Sequence, residues 1–171
     1  MLMNIQLRFV AMLCLLTLAA CGFHLRGMQD MPFKTLYIQK SGETQLVKDL
    51  QRSLASSGVQ VVPTPENAEM LLDLMGEKND KKILSLGGSG KVKEYELVYQ
   101  VVLRMRDASS ETWGAPQTVE IRRDYSYSDT QLLAKDYEES RMYSDMRADA
   151  TREIMRRLNA QKPSGKSGVA N

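Results

Sequence analysis

The chain has 171 residues, 43% of them hydrophobic and 26% charged, enough apolar content for one compact core. Its 23 basic and 21 acidic side chains leave a formal charge of +2, so total charge does not mark a nucleic-acid binder. A single histidine, His24, and two cysteines, Cys14 and Cys21, exclude a zinc finger or a disulfide scaffold and weaken any triad hydrolase.

Residues 1–20 read as a secretory signal. Arg8 supplies its positive charge, and Phe9 to Leu18 is an apolar run too short to span a bilayer. Leu18-Ala19-Ala20-Cys21, followed by Gly22, resembles a bacterial lipobox. That resemblance implies cleavage before Cys21 and a covalent lipid on its sulfur and amine. Cys14 then leaves with the leader and Cys21 is consumed, so the mature chain carries no free thiol. Several acyl chains make a durable anchor where one does not. By the sorting rule of such lipoproteins, Gly22 favours the outer membrane. Residues 21–33 form the lipidated linker, and residues 34–160 form the domain.

Thr35 to Gln39 predicts a short strand with Leu36 and Ile38 on one face. Ser41 to Thr44 predicts a turn and helix start. Leu46, Leu50 and Leu54 then recur every four residues, an amphipathic helix ended by Gly58. Val59 to Val62 is extended and interrupted by Pro63-Thr64-Pro65, which suits an edge or a bulge. Ala68 to Lys78 resumes that strand. A strand–helix–strand unit implies a right-handed crossover between parallel strands.

Asn79 to Gly90 reads as a loop rich in lysine and glycine. Lys91 to Arg106 is the clearest strand, with Tyr95, Leu97, Tyr99, Val101, Leu103 and Met105 on one face. Asp107 to Pro116 connects it to a strand over Gln117 to Tyr127, where Arg123 interrupts the apolar face. Ser128-Asp129-Thr130-Gln131 matches a capping box. The helix that follows runs to about Asn159, with Tyr143, Met146, Ala150, Ile154 and Leu158 as its stripe. Residues 161–171 carry no core formers and read as a disordered tail. The predicted fold is α/β (an α+β sandwich), β-α-β-β-β-α, with two helices on one face of a four-stranded mixed sheet.

This connectivity places the lipid at one pole. Lys81, Lys82, Lys91 and Lys93 fall at the other, with Lys135 nearby. Such a pole suits an anionic, phosphate-bearing ligand. Gly87-Gly88-Ser89-Gly90 lacks the lysine and hydroxyl of a P-loop. The chain has no Gly-x-Ser-x-Gly elbow, and His24 lies beside the lipid site without a paired nucleophile.

Cys21-Gly22-Phe23-His24-Leu25-Arg26-Gly27 resembles the mature start of the LptE family of lipopolysaccharide-assembly lipoproteins. Glu94-Tyr95-Glu96-Leu97, Arg123-Asp124-Tyr125-Ser126-Tyr127, Leu133-Ala134-Lys135-Asp136 and the run from Met146-Arg147-Ala148-Asp149-Ala150 to Arg156-Arg157-Leu158 extend the likeness. The resemblance implies a non-enzymatic partner that sits in the lumen of the LptD β-barrel in the outer membrane. It implies help with barrel assembly and contact with lipopolysaccharide through basic residues remote from the anchor. Lys135 carries the family's basic position, while Gly88 stands where some members place a basic residue, so Lys91 or Lys93 substitutes. Tyr125, Tyr127, Tyr137 and Trp113 become candidate partner contacts. No cofactor is expected beyond the covalent lipid on Cys21, and no metal or nucleic acid. Two other readings are a stand-alone lipopolysaccharide carrier and an activator of a cell-wall synthase.

Overall fold

The computed structural model describes residues 31–127 and 132–161. The leader, Cys21, His24, the capping box at 128–131 and the tail from 162 lie outside the described residues.

Strand β1 (Thr35–Lys40) buries Leu36 and Ile38. Helix α1 (Gln45–Ser56) starts at Thr44, whose hydroxyl accepts the Val47 N–H at 3.4 Å. Its apolar stripe, Leu46, Val47, Leu50 and Leu54, is buried. Gly58, at φ +73°, reverses the chain while the Val59 N–H donates to the Leu54 carbonyl at 2.9 Å. Only glycine adopts that left-handed conformation without strain.

The segment expected as one interrupted strand is two. Strand β2 (Gln60–Val61) pairs in parallel with one side of β1, and β3 (Met70–Leu86) pairs in parallel with the other. A 3-10 turn over Pro65–Asn67 separates them. Pro63 and Pro65 lack the N–H that would extend the ladder, so β2 stops after two residues at the sheet edge. The sheet therefore has five strands, not four, in the order β2-β1-β3-β4-β5.

The expected loop over 79–90 is mostly strand. β3 runs 17 residues to Leu86 and pairs antiparallel with β4 (Val92–Asp107) from Met70↔Asp107 to Leu86↔Val92. Lys78-Asn79-Asp80-Lys81-Lys82 shows no apolar alternation, which is why its sequence reads as loop. The neighbouring strand supplies partners for its backbone groups, and that decides the outcome. The turn is confined to 87–90, closed by Gly87 N–H to Lys91 C=O at 2.8 Å, with Gly90 at φ +75°.

Strand β5 (Gln117–Ser126) adds antiparallel to β4. Helix α2 (Leu132–Ala160) then returns over the same face as α1. Met146, Ala150, Ile154 and Leu158 are buried with Leu50, Leu72, Leu97 and Leu103 in one core. Arg123 sits on that apolar face and is neutralised by Asp149 of α2 at 2.5 Å. Among the described residues, no helix packs on the opposite face. Its base holds a smaller cluster of Val62, Ala68 and Leu71, with Tyr37 and Trp113 packed against it. Gly114 lets the β4–β5 connection lie close, because a Cβ there would approach the Met105 carbonyl to 3.0 Å.

Asp49 of α1 accepts from Arg147 of α2 at 3.0 Å and joins the two helices. Burial acts to raise the Asp49 carboxyl, but hydrogen bonds from Arg147, Gln45 and Arg52 outweigh it and hold the carboxyl below its ordinary range. A depressed folded value means this stabilisation is present above the unfolded value and is lost as pH falls through the folded one. Melting temperature measured from neutral to acid pH should therefore fall more steeply below about pH 4 in the parent than in Asp49→Asn. Superimposable profiles would show that the contact contributes nothing.

Candidate functional site at the hairpin pole

The two ends of the sheet differ in chemistry. The chain enters at the base, where Met31 and Phe33 are buried and Glu69 accepts the Lys34 N–H at 2.8 Å. β3 rises about 3.3 Å per residue, so its tip lies roughly 50 Å from the base. Tyr127 N–H donates to the Lys93 carbonyl at 2.9 Å, which brings the start of α2 to that tip.

Residues of β3 and β4 that pair directly share a face. Lys81 pairs with Leu97 and so faces the helices, whereas Lys82 pairs with Glu96 on the uncovered side. Both were expected in a loop and both lie in β3. The Lys81 amine sits 4.3 Å from the Tyr95 ring centroid and 5.6 Å from those of Tyr125 and Tyr127. Its partner is Glu139 of α2, at 2.5 Å. Tyr95 and Tyr127 meet edge to face at 5.2 Å. This is a cation held between aromatic faces and a carboxylate.

The same cluster fixes Lys135. The Tyr125 hydroxyl donates to the Lys135 carbonyl at 2.5 Å, and the Lys135 amine lies 5.3 Å from the Tyr125 ring. That amine pairs with Glu138 at 2.7 Å. Tyr143 donates to the Asp80 carbonyl at 2.7 Å, a second bond from helix to hairpin. Burial, then Glu139, Glu138 and Asp136, push the Tyr125 hydroxyl up to about 12, so it stays a donor. Burial and the nearby Glu139 and Asp80 raise Tyr143 as well.

Lys82, Lys91 and Lys93 are exposed at this pole. Ile83, Leu84 and Leu86 are exposed beside them, an apolar group that the loop reading of 79–90 hid. The Ile-Leu-Ser-Leu run between the charges and the glycines is the signal that could have revealed it.

The candidate partner contacts divide. Tyr125 is 2% exposed, so its side chain belongs to the core and not to an outer surface. The reason is its register opposite Tyr95 under α2. Tyr127 is half-buried in the lysine cage. Tyr137 is exposed on the outer side of α2 with Leu133. Trp113 is half-buried at the base, with the guanidinium groups of Arg104 and Arg106 at 4.7 Å and 5.3 Å from its ring.

The uncovered sheet face is a mosaic of paired charge. Asp73 pairs with Arg104 at 2.8 Å, and Arg122 bridges Glu120 at 2.7 Å and Glu96 at 3.4 Å. A groove of about 840 Å³ runs between α1 and the end of α2, far from the lysines. Its Asp149 and Glu153 are already bound by Arg152, Arg156 and Arg157. Among the described residues, no three His, Cys, Asp or Glu side chains gather as a metal site would need.

The family model for LptE, described as lipopolysaccharide-assembly, matches residues 33–158. The chain belongs to the LptE family. It is 30% identical over 159 residues to the LPS-assembly lipoprotein LptE of Photorhabdus laumondii, covering 88% of this chain and 85% of that one. The LptE of Pectobacterium atrosepticum is 26% identical over 150 residues, covering 85% and 80%. Among solved structures, an uncharacterized lipoprotein B from Nitrosomonas europaea superposes with a TM-score of 0.72 at 35% identity, covering 84% of this chain and 94% of that one. The rare lipoprotein B of Shewanella oneidensis gives 0.67 at 28% identity, covering 73% and 93%. The LptE fold is thus the one built here, helices on one face and a bare, charged sheet on the other.

Tyr125→Phe keeps the ring in this LptE domain but removes the hydroxyl that holds the Lys135 carbonyl. It should cost about 1 kcal/mol. Amide exchange should quicken over Lys135 to Glu139 and stay unchanged over Arg147 to Leu158. Equal exchange in both segments would refute the latch.

Proposed function

We propose that the protein is a non-enzymatic outer-membrane lipoprotein, anchored on the periplasmic side through lipid on Cys21. Its domain partners and plugs an LptD-like β-barrel, assists the barrel's assembly, and helps lipopolysaccharide reach the outer leaflet. The family match across residues 33–158 carries this reading.

Three structural features support it. The lumen of a wide barrel is polar. The uncovered face, with Arg104, Glu96, Glu120 and Arg122, offers such a lumen charge and hydrogen-bonding groups. The base receives the linker from Cys21, while the long hairpin carries Lys82, Lys91 and Lys93 to the far end. Lysine engages phosphate as a point charge, and the lipid A part of lipopolysaccharide is phosphorylated. Lys135 joins them at the start of α2, where a ligand phosphate would compete with Glu138 for its amine. Lys81, already bound to Glu139 and three tyrosines, serves this site by holding α2 against the hairpin. Tyr137, Tyr127 and, at the base, Trp113 are the proposed partner contacts that keep exposed area.

Affinity purification of the tagged full chain from outer membranes should yield a stoichiometric, detergent-stable complex with a large β-barrel. Recovery of the chain without a barrel, yet with lipopolysaccharide bound, would favour the stand-alone carrier. Lys135→Glu combined with Lys91→Glu should weaken lipopolysaccharide binding at low ionic strength, where surface charge acts most strongly. Its melting temperature should stay close to the parent's. Unchanged affinity at low salt would remove the basic pole from the ligand site.

A further inference from the structure

The hairpin tip sets beside the lysines two features that the phosphate-binding role does not use. Ile83, Leu84 and Leu86 are 60%, 49% and 58% exposed, within four residues of one another. Register irregularities fall between Ile83 and Ser85 and between Ser85 and Leu86. Bulges of this kind re-aim side chains and recur beside binding sites. Exposed Lys82, Lys91 and Lys93 flank the apolar group along the two strands of the hairpin. The stretch from Lys82 to Glu94 holds one carboxylate, Glu94, and the Ser85 hydroxyl donates to it at 2.5 Å.

We propose that the tip is an acyl-chain subsite. Ile83, Leu84 and Leu86 contact fatty-acyl chains of a phosphorylated glycolipid while the neighbouring lysines hold its phosphates. This rests on the lipopolysaccharide reading above and adds the apolar half of the ligand. The choice of occupant follows from complementarity. A polar barrel lumen offers no apolar counterpart to three adjacent aliphatic side chains. A free phosphate would satisfy the lysines and leave the apolar group in water. An anionic amphiphile matches both, with charge at the lysines and tails at the isoleucine and leucines.

The test uses the full chain at fixed detergent concentration, with biotinylated lipopolysaccharide as probe. Intact lipopolysaccharide and its fully deacylated saccharide act as competitors. The parent should prefer the intact form by about tenfold or more, since burying even one such side chain is worth that much. The triple variant Ile83→Ser, Leu84→Ser, Leu86→Ser should bind both forms about equally. Lys135→Glu with Lys91→Glu should weaken both. A serine variant that keeps the parent's preference overturns the acyl subsite and leaves the basic pole standing. A parent that binds neither form overturns the lipopolysaccharide reading itself. Should the serine variant melt early, a photo-crosslinking residue at Leu86 in cells provides the second measurement. A glycolipid adduct supports the subsite, and an adduct to the barrel polypeptide overturns it.

Discussion

The pairing of a charged half-strand with β4 is the constraint on which the rest of the structure depends. Lys78 to Lys82 has neither an apolar stripe nor strong strand formers, yet it is drawn into the sheet. Its side chains are mostly exposed, and β4 presents matching backbone donors and acceptors along its whole length. The result is a hairpin far longer than the β1–β2 part of the sheet. Without it there would be no pole distant from the base, where Met31 and Phe33 are buried.

The extended hairpin also needs support, because two strands alone are marginally stable. β5 flanks it on one side, and the start of α2 covers one face. Lys81 is the hinge of that cover. A lysine on an apolar face would ordinarily be destabilising, but tyrosine rings and Glu139 take up its charge. Arg123 meets the same problem one strand away and solves it with Asp149. Both cations therefore tie sheet to helix. They also show that lysines gathered at one pole are not all unengaged, since Lys81 is bound to Glu139 and Lys135 to Glu138.

The one-sided covering gives the domain two unlike surfaces. The helical side is closed over a single core, whereas the bare sheet keeps its charges in mutual pairs. The pairs of Arg122, whose side chain is 56% exposed, contribute little to stability, whereas Asp73 is buried beneath Arg104 and depends on it. Trp113 and Tyr37 cap the base of this face, where the two arginines flank the tryptophan ring.

Local pattern alone determined the elements that have one apolar face. The period-four leucines of α1, the alternation of β4 and β5 and the stripe of α2 are all legible, because burial on one side writes a period into the chain. The family motifs are equally local. Tertiary structure decided what had no such period. It split the expected second strand around Pro63 and Pro65, and turned a lysine-rich loop into the outer half of β3. It also placed Lys81 under the helix and Lys82 on the open face. Tyr125 became core for the same reason, its position opposite Tyr95. In each case the deciding partner lies on another strand or helix. A residue whose surroundings come from distant segments carries little record of them in its neighbours along the chain.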